Sequence, residues 1–212
     1  MSGSVIGVLI SGRGSNLQSL IDAQSAGELP ARIGVVISNR ADVPGLDRAR
    51  AAGIEALTID HRKFADRDDF DHAVAKALTD RGVTLVCLAG FMRLVGRPLL
   101  DAFPDAILNI HPSLLPSFPG VHAQAQALTH GAKVSGATVH LVNGDLDAGP
   151  IIAQATVPVR DDDTAELLAD RILIEEHRLY PLAVRIVLAG GWTINGRRFL
   201  RDPDRGGVTS PA

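Results

Sequence analysis

The chain has 212 residues, 46% hydrophobic and 21% charged, with a net charge of −3. This is ordinary globular composition, long enough to bury a real core, and the absence of a Lys/Arg-rich block argues against a nucleic-acid partner. Cys87 is the only cysteine, which leaves no internal disulfide; with no signal-like amino terminus and no apolar run of membrane-spanning length, a cytoplasmic protein with no membrane partner is expected.

In chain order, Ser4–Ile10 reads as a buried strand, followed by a glycine turn and a helix from about Ser15 to Ala26. Ala31–Ser38 is a second strand, and Val43–Ala52 a helix closed by Gly53. Glu55–Ile59 reads as a short strand, Phe64–Arg81 as a longer charged helix, and the apolar run Val83–Ala89 as a central strand. A short helix at Pro98–Phe103 and a strand at Ala106–Ile110 follow. Residues His111–His122 hold three prolines and a glycine, which predicts a fixed, irregular loop before a helix at Ala123–His130.

Val134–Val142 and Pro150–Val157 read as antiparallel strands across a polar connection, and Thr164–Ala189 as a long helix. Trp192–Asn195 and Arg197–Leu200 suggest a hairpin around Gly196, and residues 202–212 a frayed tail. Strands alternating with helices predict an α/β fold: a mostly parallel central sheet with helices on both faces and an antiparallel C-terminal part. One domain is expected over residues 1–201, with an N-terminal half of about 1–105 and a C-terminal half of about 106–201.

Two motifs carry chemistry. Ser11-Gly12-Arg13-Gly14-Ser15-Asn16 follows the first strand and opens the first helix. Backbone N–H groups and the helix dipole there favour an anion, and Ser15 and Asn16 can donate or cap. A dinucleotide fingerprint would need a glycine where Leu17 stands and an acid after the second strand, which instead ends Ser38-Asn39-Arg40. A phosphate monoester is the better fit.

The second motif is Asn109-Ile110-His111-Pro112. Asn109 and His111 alternate along a strand, so their side chains share one side near its C-terminal end, where ligand crevices lie in parallel sheets. An amide N–H and an imidazolium suit an oxygen that gains negative charge. Asp147 lies in the connection Asp145–Pro150, where a carboxylate could hold His111 protonated, relay a proton through water, or serve only as a solvated turn residue. These residues lack metal-ligand spacing, and no serine elbow or reactive cysteine is evident, so neither a metal nor a covalent intermediate is expected.

Taken together, Ile10–Gln18, Leu88-Ala89-Gly90-Phe91-Met92-Arg93-Leu94, Leu108–Pro116 and Leu146-Asp147-Ala148-Gly149-Pro150-Ile151 resemble the phosphoribosylglycinamide (glycinamide ribonucleotide) formyltransferases. The resemblance runs from the first strand to Glu176-His177 and implies a Rossmann-like formyltransferase domain. It implies transfer of a formyl group from 10-formyltetrahydrofolate, as co-substrate, to the amine of glycinamide ribonucleotide through a tetrahedral intermediate. By position, Asn109 and His111 would stabilise the oxyanion, while Asp147 would hold His111 protonated and help move protons.

The same resemblance assigns Gly12, Arg13, Gly14, Ser15 and Asn16 to the ribose phosphate and Glu176 to the ribose or the amine-bearing end. It sets the pterin against Met92, Arg93, Leu94, Val95 and Asn109 and the segment from Val142 to Asp147, with Arg67 near the folate tail. His122 and His140 match positions with supporting roles. Two residues depart from the pattern: Arg13 stands where the family often has Asn or Thr, and Leu173 where relatives commonly carry Lys or Gln. Arg13 is expected to compensate for Leu173 in binding phosphate. Formyltetrahydrofolate hydrolases and methionyl-tRNA formyltransferases are similar around the same loop, but a further domain is expected of each. A non-catalytic nucleotide sensor is the alternative from another class. A monomer or homodimer is expected.

Overall fold

A computed structural model describes residues 3–202 of the chain. The chain divides into two compact units, Met1–Asn109 and Ile110–Ala212. In the first, elements follow in the order β1 (Ser4–Ile10), α1 (Ser15–Ser25), β2 (Ala31–Ser38), α2 (Pro44–Ala51), β3 (Glu55–Thr58), α3 (Arg67–Thr79), β4 (Leu85–Leu88) and α4 (Arg97–Ala102), and the boundary falls within β5 (Ile107–His111). The strands lie in the order β3-β2-β1-β4-β5, and each neighbouring pair is parallel.

β1 is central because it is apolar on both faces: Ile6, Val8, Leu9 and Ile10 are fully buried. The winding reverses between β1 and β4, since β2 and β3 lie on one side of β1 while β4 and β5 lie on the other. Loops following β1 and β4 therefore meet at a switch point, the position where open α/β sheets bind ligands. Ser11 is the join. Its N–H donates to the Gly90 carbonyl (3.1 Å), and its Oγ accepts from the Met92 N–H (2.8 Å) while donating to Asn39 Oδ1 (2.6 Å).

The second unit contains α5 (Ala123–Thr129), β6 (Val134–Leu141), β7 (Ile151–Pro158), α6 (Ala165–Ala189), β8 (Trp192–Asn195) and β9 (Arg198–Arg201). β6 and β7 are antiparallel, β9 joins β7 in parallel at Ile151↔Arg198, and β8 closes the hairpin. α6 packs against β6 and β7 and buries Leu168, Ile172, Glu176, Leu179 and Tyr180, an i, i+4 stripe that makes one face of a helix. Thr164 caps it by accepting from the Leu167 N–H (3.3 Å). No described helix is long and apolar enough to cross a membrane.

Most expected elements stand within a residue or two of their predicted bounds. The helix expected from Phe64 is the exception and begins at Arg67. Asp66 ends the preceding extended segment and accepts from the Asp69 N–H (2.9 Å), a local cap that outcompetes continuation upstream. A single turn of 3-10 helix at His61–Lys63, capped by Asp60, occupies the approach. At the carboxyl end, the Asp202 N–H donates to the Gly191 carbonyl (2.7 Å); the rest of the expected tail lies outside the described residues.

Candidate active site

The glycine loop folds back on itself because two glycines let backbones touch. Gly14 has φ +71°, and a Cβ there would lie 2.7 Å from the Gly45 Cα at the start of α2. The Gly45 N–H in turn donates to the Gly12 carbonyl (3.1 Å). Arg48 fastens the loop from outside, its Nε donating to the Arg13 carbonyl (3.0 Å) and its Nη1 to Gln18 Oε1 (3.1 Å). Gly14 is the N-cap of α1, with no side-chain capping bond and no acid in the first turn. Ser15 and Asn16 thus open the helix instead of capping it, and the positive end of its dipole is left without an acidic side chain. The Arg13 side chain is exposed.

The loop after β4 leans on α3. Phe91 stacks on Phe70 (6.5 Å between centroids), and the Arg93 guanidinium lies 5.0 Å over the same ring. Asp71 Oδ2, buried to 1%, accepts from the Gly96 N–H (2.5 Å). Burial raises the Asp71 pKa above its ordinary value of 3.8, and the Gly96 N–H and the charges of Arg67 and Arg93 only partly oppose it. Met92 and Leu94 are left 68% and 56% exposed, apolar side chains presented on a braced loop.

The second unit holds the expected histidine–aspartate pair. His111 Nδ1 lies 3.4 Å from Asp147 Oδ2, and the two side chains are only 6% and 9% exposed. His111 Nε2 contacts the Phe118 carbonyl at 2.9 Å. Since a carbonyl only accepts, Nε2 carries a proton there, and both ring nitrogens face oxygens. Asp147 Oδ2 also accepts from the Gly120 N–H (2.7 Å). His140 completes the cluster: Nε2 stands 3.7 Å from Asp147 Oδ1, while Nδ1 meets the Leu141 carbonyl at 2.8 Å.

Burial alone would raise the Asp147 pKa. The His140 hydrogen bond, the Gly120 N–H and the charges of His111 and His140 outweigh it and hold the carboxyl below its ordinary 3.8. Two backbone features aim these groups. The β6–β7 register slips between Val139 and His140, a bulge that re-aims His140. Asp147 itself adopts φ +48°, in the left-handed region that non-glycine residues seldom occupy. Gly149 permits this path, because a Cβ there would lie 1.7 Å from the Leu141 carbonyl oxygen.

Among residues expected from sequence, His111 and Asp147 are brought together, and the glycine loop and the Met92–Val95 segment each form as built loops. Asn109 is half-buried on β5 in register with Leu88, and strand alternation sets it on the same side as His111. Glu176 is buried on α6 (6% exposed), with Leu173 half-buried one turn earlier. Arg67 is half-exposed at the start of α3, 3.8 Å from Asp68. Val142 is half-buried just beyond β6, and His122 is exposed. Neither the burial of Asp71 nor the approach of His140 to Asp147 was read from the sequence; a polar residue inside an apolar strand, as in Val139-His140-Leu141, was the available signal for the latter. Among the described residues, no group of three or more His, Cys, Asp or Glu is arranged to hold a metal ion.

The described residues thus hold a carboxylate flanked by two imidazoles and, separately, a glycine loop at a helix N-terminus, and sequence comparison names the class. Residues 5–184 match the family described as formyl transferase, and the chain belongs to that family. It is 41% identical over 190 residues to the phosphoribosylglycinamide formyltransferase of Escherichia coli (strain K12), covering 90% of this chain and 87% of that protein. The crystal structure of glycinamide ribonucleotide transformylase 1 from Symbiobacterium toebii superposes with a TM-score of 0.93 at 56% identity, covering 94% of this chain and 95% of that one. A human relative, the trifunctional purine biosynthetic protein adenosine-3, is 47% identical over 185 residues, but the chain spans only 18% of its length.

Proposed function

We propose that this chain transfers the formyl group of 10-formyltetrahydrofolate to the amine of glycinamide ribonucleotide, a step of purine biosynthesis. The observation that carries the reading is Asp147, an ionised and nearly buried carboxylate held between His111 and His140, in a chain of the formyl transferase family.

The amine attacks the formyl carbon, forming the new C–N bond as the carbonyl electron pair moves onto oxygen. Collapse restores the carbonyl and breaks the bond to the folate nitrogen, which takes up the proton that the amine gives up. Asn109 donates its amide N–H to the oxyanion. His111 acts mainly through charge, because its Nε2–H is committed to the Phe118 carbonyl (2.9 Å). Asp147 keeps that charge in place. Its depressed pKa makes it a weak base, so protons pass it by way of ordered water and are not stored on it.

Gly12, Arg13, Gly14, Ser15 and Asn16 hold the ribose phosphate, and Glu176 meets the ribose or amine end. Arg67, Met92, Arg93, Leu94, Val95 and Val142 receive the folate, with Asn109 and Asp147 beside the formyl group. The exposed Arg13 guanidinium answers for Leu173. Arg13→Ala should raise the KM for the ribonucleotide about tenfold, the scale of a charge-assisted hydrogen bond, and an unchanged KM would remove Arg13 from the site. The protein works in the cytoplasm as a monomer or homodimer, with no resident metal and no nucleic-acid partner.

The deciding assay incubates the protein with 10-formyltetrahydrofolate in the presence and absence of glycinamide ribonucleotide. Formylated ribonucleotide is the expected product. Equal consumption of the donor without the ribonucleotide would make the enzyme a hydrolase, and donor binding without turnover would make it a sensor.

A further inference from the structure

The residues just after β4 present Met92 and Leu94 outward, 68% and 56% exposed. An apolar, exposed loop has no core of its own to hold it, so its shape is set by ties at its ends together with the packing of Phe91 and Arg93 on Phe70. Its amino-terminal end is tied by the Met92 N–H to Ser11 Oγ (2.8 Å). At its carboxyl-terminal end, the Gly96 N–H donates to Asp71 Oδ2 (2.5 Å), and Asp71 is buried to 1% on α3. Gly96 also caps α4.

The fit at this end is close. A Cβ on Gly96 would lie 2.7 Å from Asp71 Oδ2, 3.1 Å from Asp68 Oδ1 and 3.2 Å from Arg67 Nε. Between the two ties, Arg93 sits over Phe70, the neighbour of Asp71 on α3. The carboxylate thus ties one loop end, at the start of α4, to α3, and the charges of Arg67 and Arg93 act on it without replacing that tie. A buried carboxylate that accepts from a loop N–H fixes the position of that end of the loop.

We propose that Asp71 is a positioning residue for the formyl donor: its carboxylate pins Gly96 and so holds the Met92–Val95 loop, with Arg67 and Arg93, in the shape that receives the folate. This rests on the function proposed above, and Asp71 itself touches no substrate.

The test compares Asp71→Leu and Asp71→Asn with the unaltered protein, using tetrahydrofolate binding by titration calorimetry, KM for each substrate, and hydrogen exchange of the Gly96 amide. Asp71→Leu should weaken tetrahydrofolate binding and raise the donor KM about tenfold, the worth of one buried hydrogen bond to a carboxylate, with faster Gly96 exchange and a ribonucleotide KM within about twofold. Asp71→Asn keeps an oxygen acceptor and should restore most of the affinity. Should Asp71→Leu fail to fold, Gly96→Ala attacks the same contact from the loop side and should give the same selective loss.

Faster Gly96 exchange with unchanged tetrahydrofolate affinity would overturn the proposal, as would an equal loss for both substrates. An unaltered protein that neither binds tetrahydrofolate nor transfers formyl would instead overturn the functional reading beneath it.

Discussion

Asp71 in the first unit is buried and Asp147 in the second nearly so, and each acid accepts from a glycine N–H, at 2.5 and 2.7 Å. Their ionisation nevertheless moves in opposite directions, Asp71 upward and Asp147 downward. Desolvation is the largest influence on each, so the glycine bond cannot be what separates them. The difference lies in the cations. Asp147 has two imidazoles against its oxygens, at 3.4 and 3.7 Å. The cations that act on Asp71, Arg67 and Arg93, have other attachments, to Asp68 at 3.8 Å and to the Phe70 ring at 5.0 Å. A carboxylate kept charged can steady a neighbouring positive charge during a reaction; one whose charged form is disfavoured serves better as a hydrogen-bond acceptor that fixes backbone.

The largest effect should come from removing the charge where the contrast says charge is used. Asp147→Asn keeps the size and an acceptor for the Gly120 N–H but cannot hold a positive His111. Turnover should fall by on the order of 10²–10⁴-fold, the range for acid–base groups, with an unchanged far-ultraviolet circular dichroism spectrum. Near-normal turnover would erase the functional half of the comparison.

Next in size is a substitution that leaves every cluster side chain in place and moves only the backbone beneath Asp147. Gly149→Ala sets a methyl 1.7 Å from the Leu141 carbonyl oxygen, so the two backbone segments must separate. Destabilisation on the order of 1–3 kcal/mol is expected from overpacking of this kind, read by denaturant unfolding, together with a fall in kcat. A stable variant with full activity would show that the Asp147–His140 spacing tolerates movement.

Acid unfolding separates the two acids by sign. Asp147 has a folded pKa below its unfolded value near 3.8. Its contribution to stability is therefore present above that value and is lost as pH falls through the folded pKa. The stability gap between the unaltered protein and Asp147→Asn should be widest near neutrality and close toward pH 3. A gap that stayed constant with pH would mean that the imidazoles do not stabilise the ionised form.

How much of this was legible in the sequence follows from the range of each interaction. The strands and the glycine loop were readable because their causes are local: an apolar run, then Gly12 and Gly14 at a strand end. The His111–Asp147 pairing spans a loop, a helix and a strand; from the residues alone it was one open role for an acid in that connection, and only resemblance to a family made it specific. The His140 contact depends on a bulge between β6 and β7, and a bulge is a property of two strands that neither sequence alone specifies. Asp71 shares one helical stripe with Val74, Ala75 and Leu78, all buried on α3, so the residue pattern sets it on the packed face. What the pattern does not carry is the partner of its carboxylate, the Gly96 N–H, which comes from a different part of the chain.

The smallest effect expected is also the one most specific to the contrast. Asp71 has a folded pKa raised above 3.8, chiefly by burial. The sign is then reversed relative to Asp147: its protonated form is favoured by folding, so its contribution is full at low pH and is lost as pH rises through the raised pKa. Asparagine resembles the protonated acid in shape and carries no charge to desolvate. Asp71→Asn should therefore melt slightly above the unaltered protein at pH 8, and the difference should shrink toward pH 4, measured by calorimetry at matched ionic strength. A variant less stable at pH 8 would mean that Arg67 and Arg93 outweigh desolvation after all, and that both acids are held as anions for the same reason.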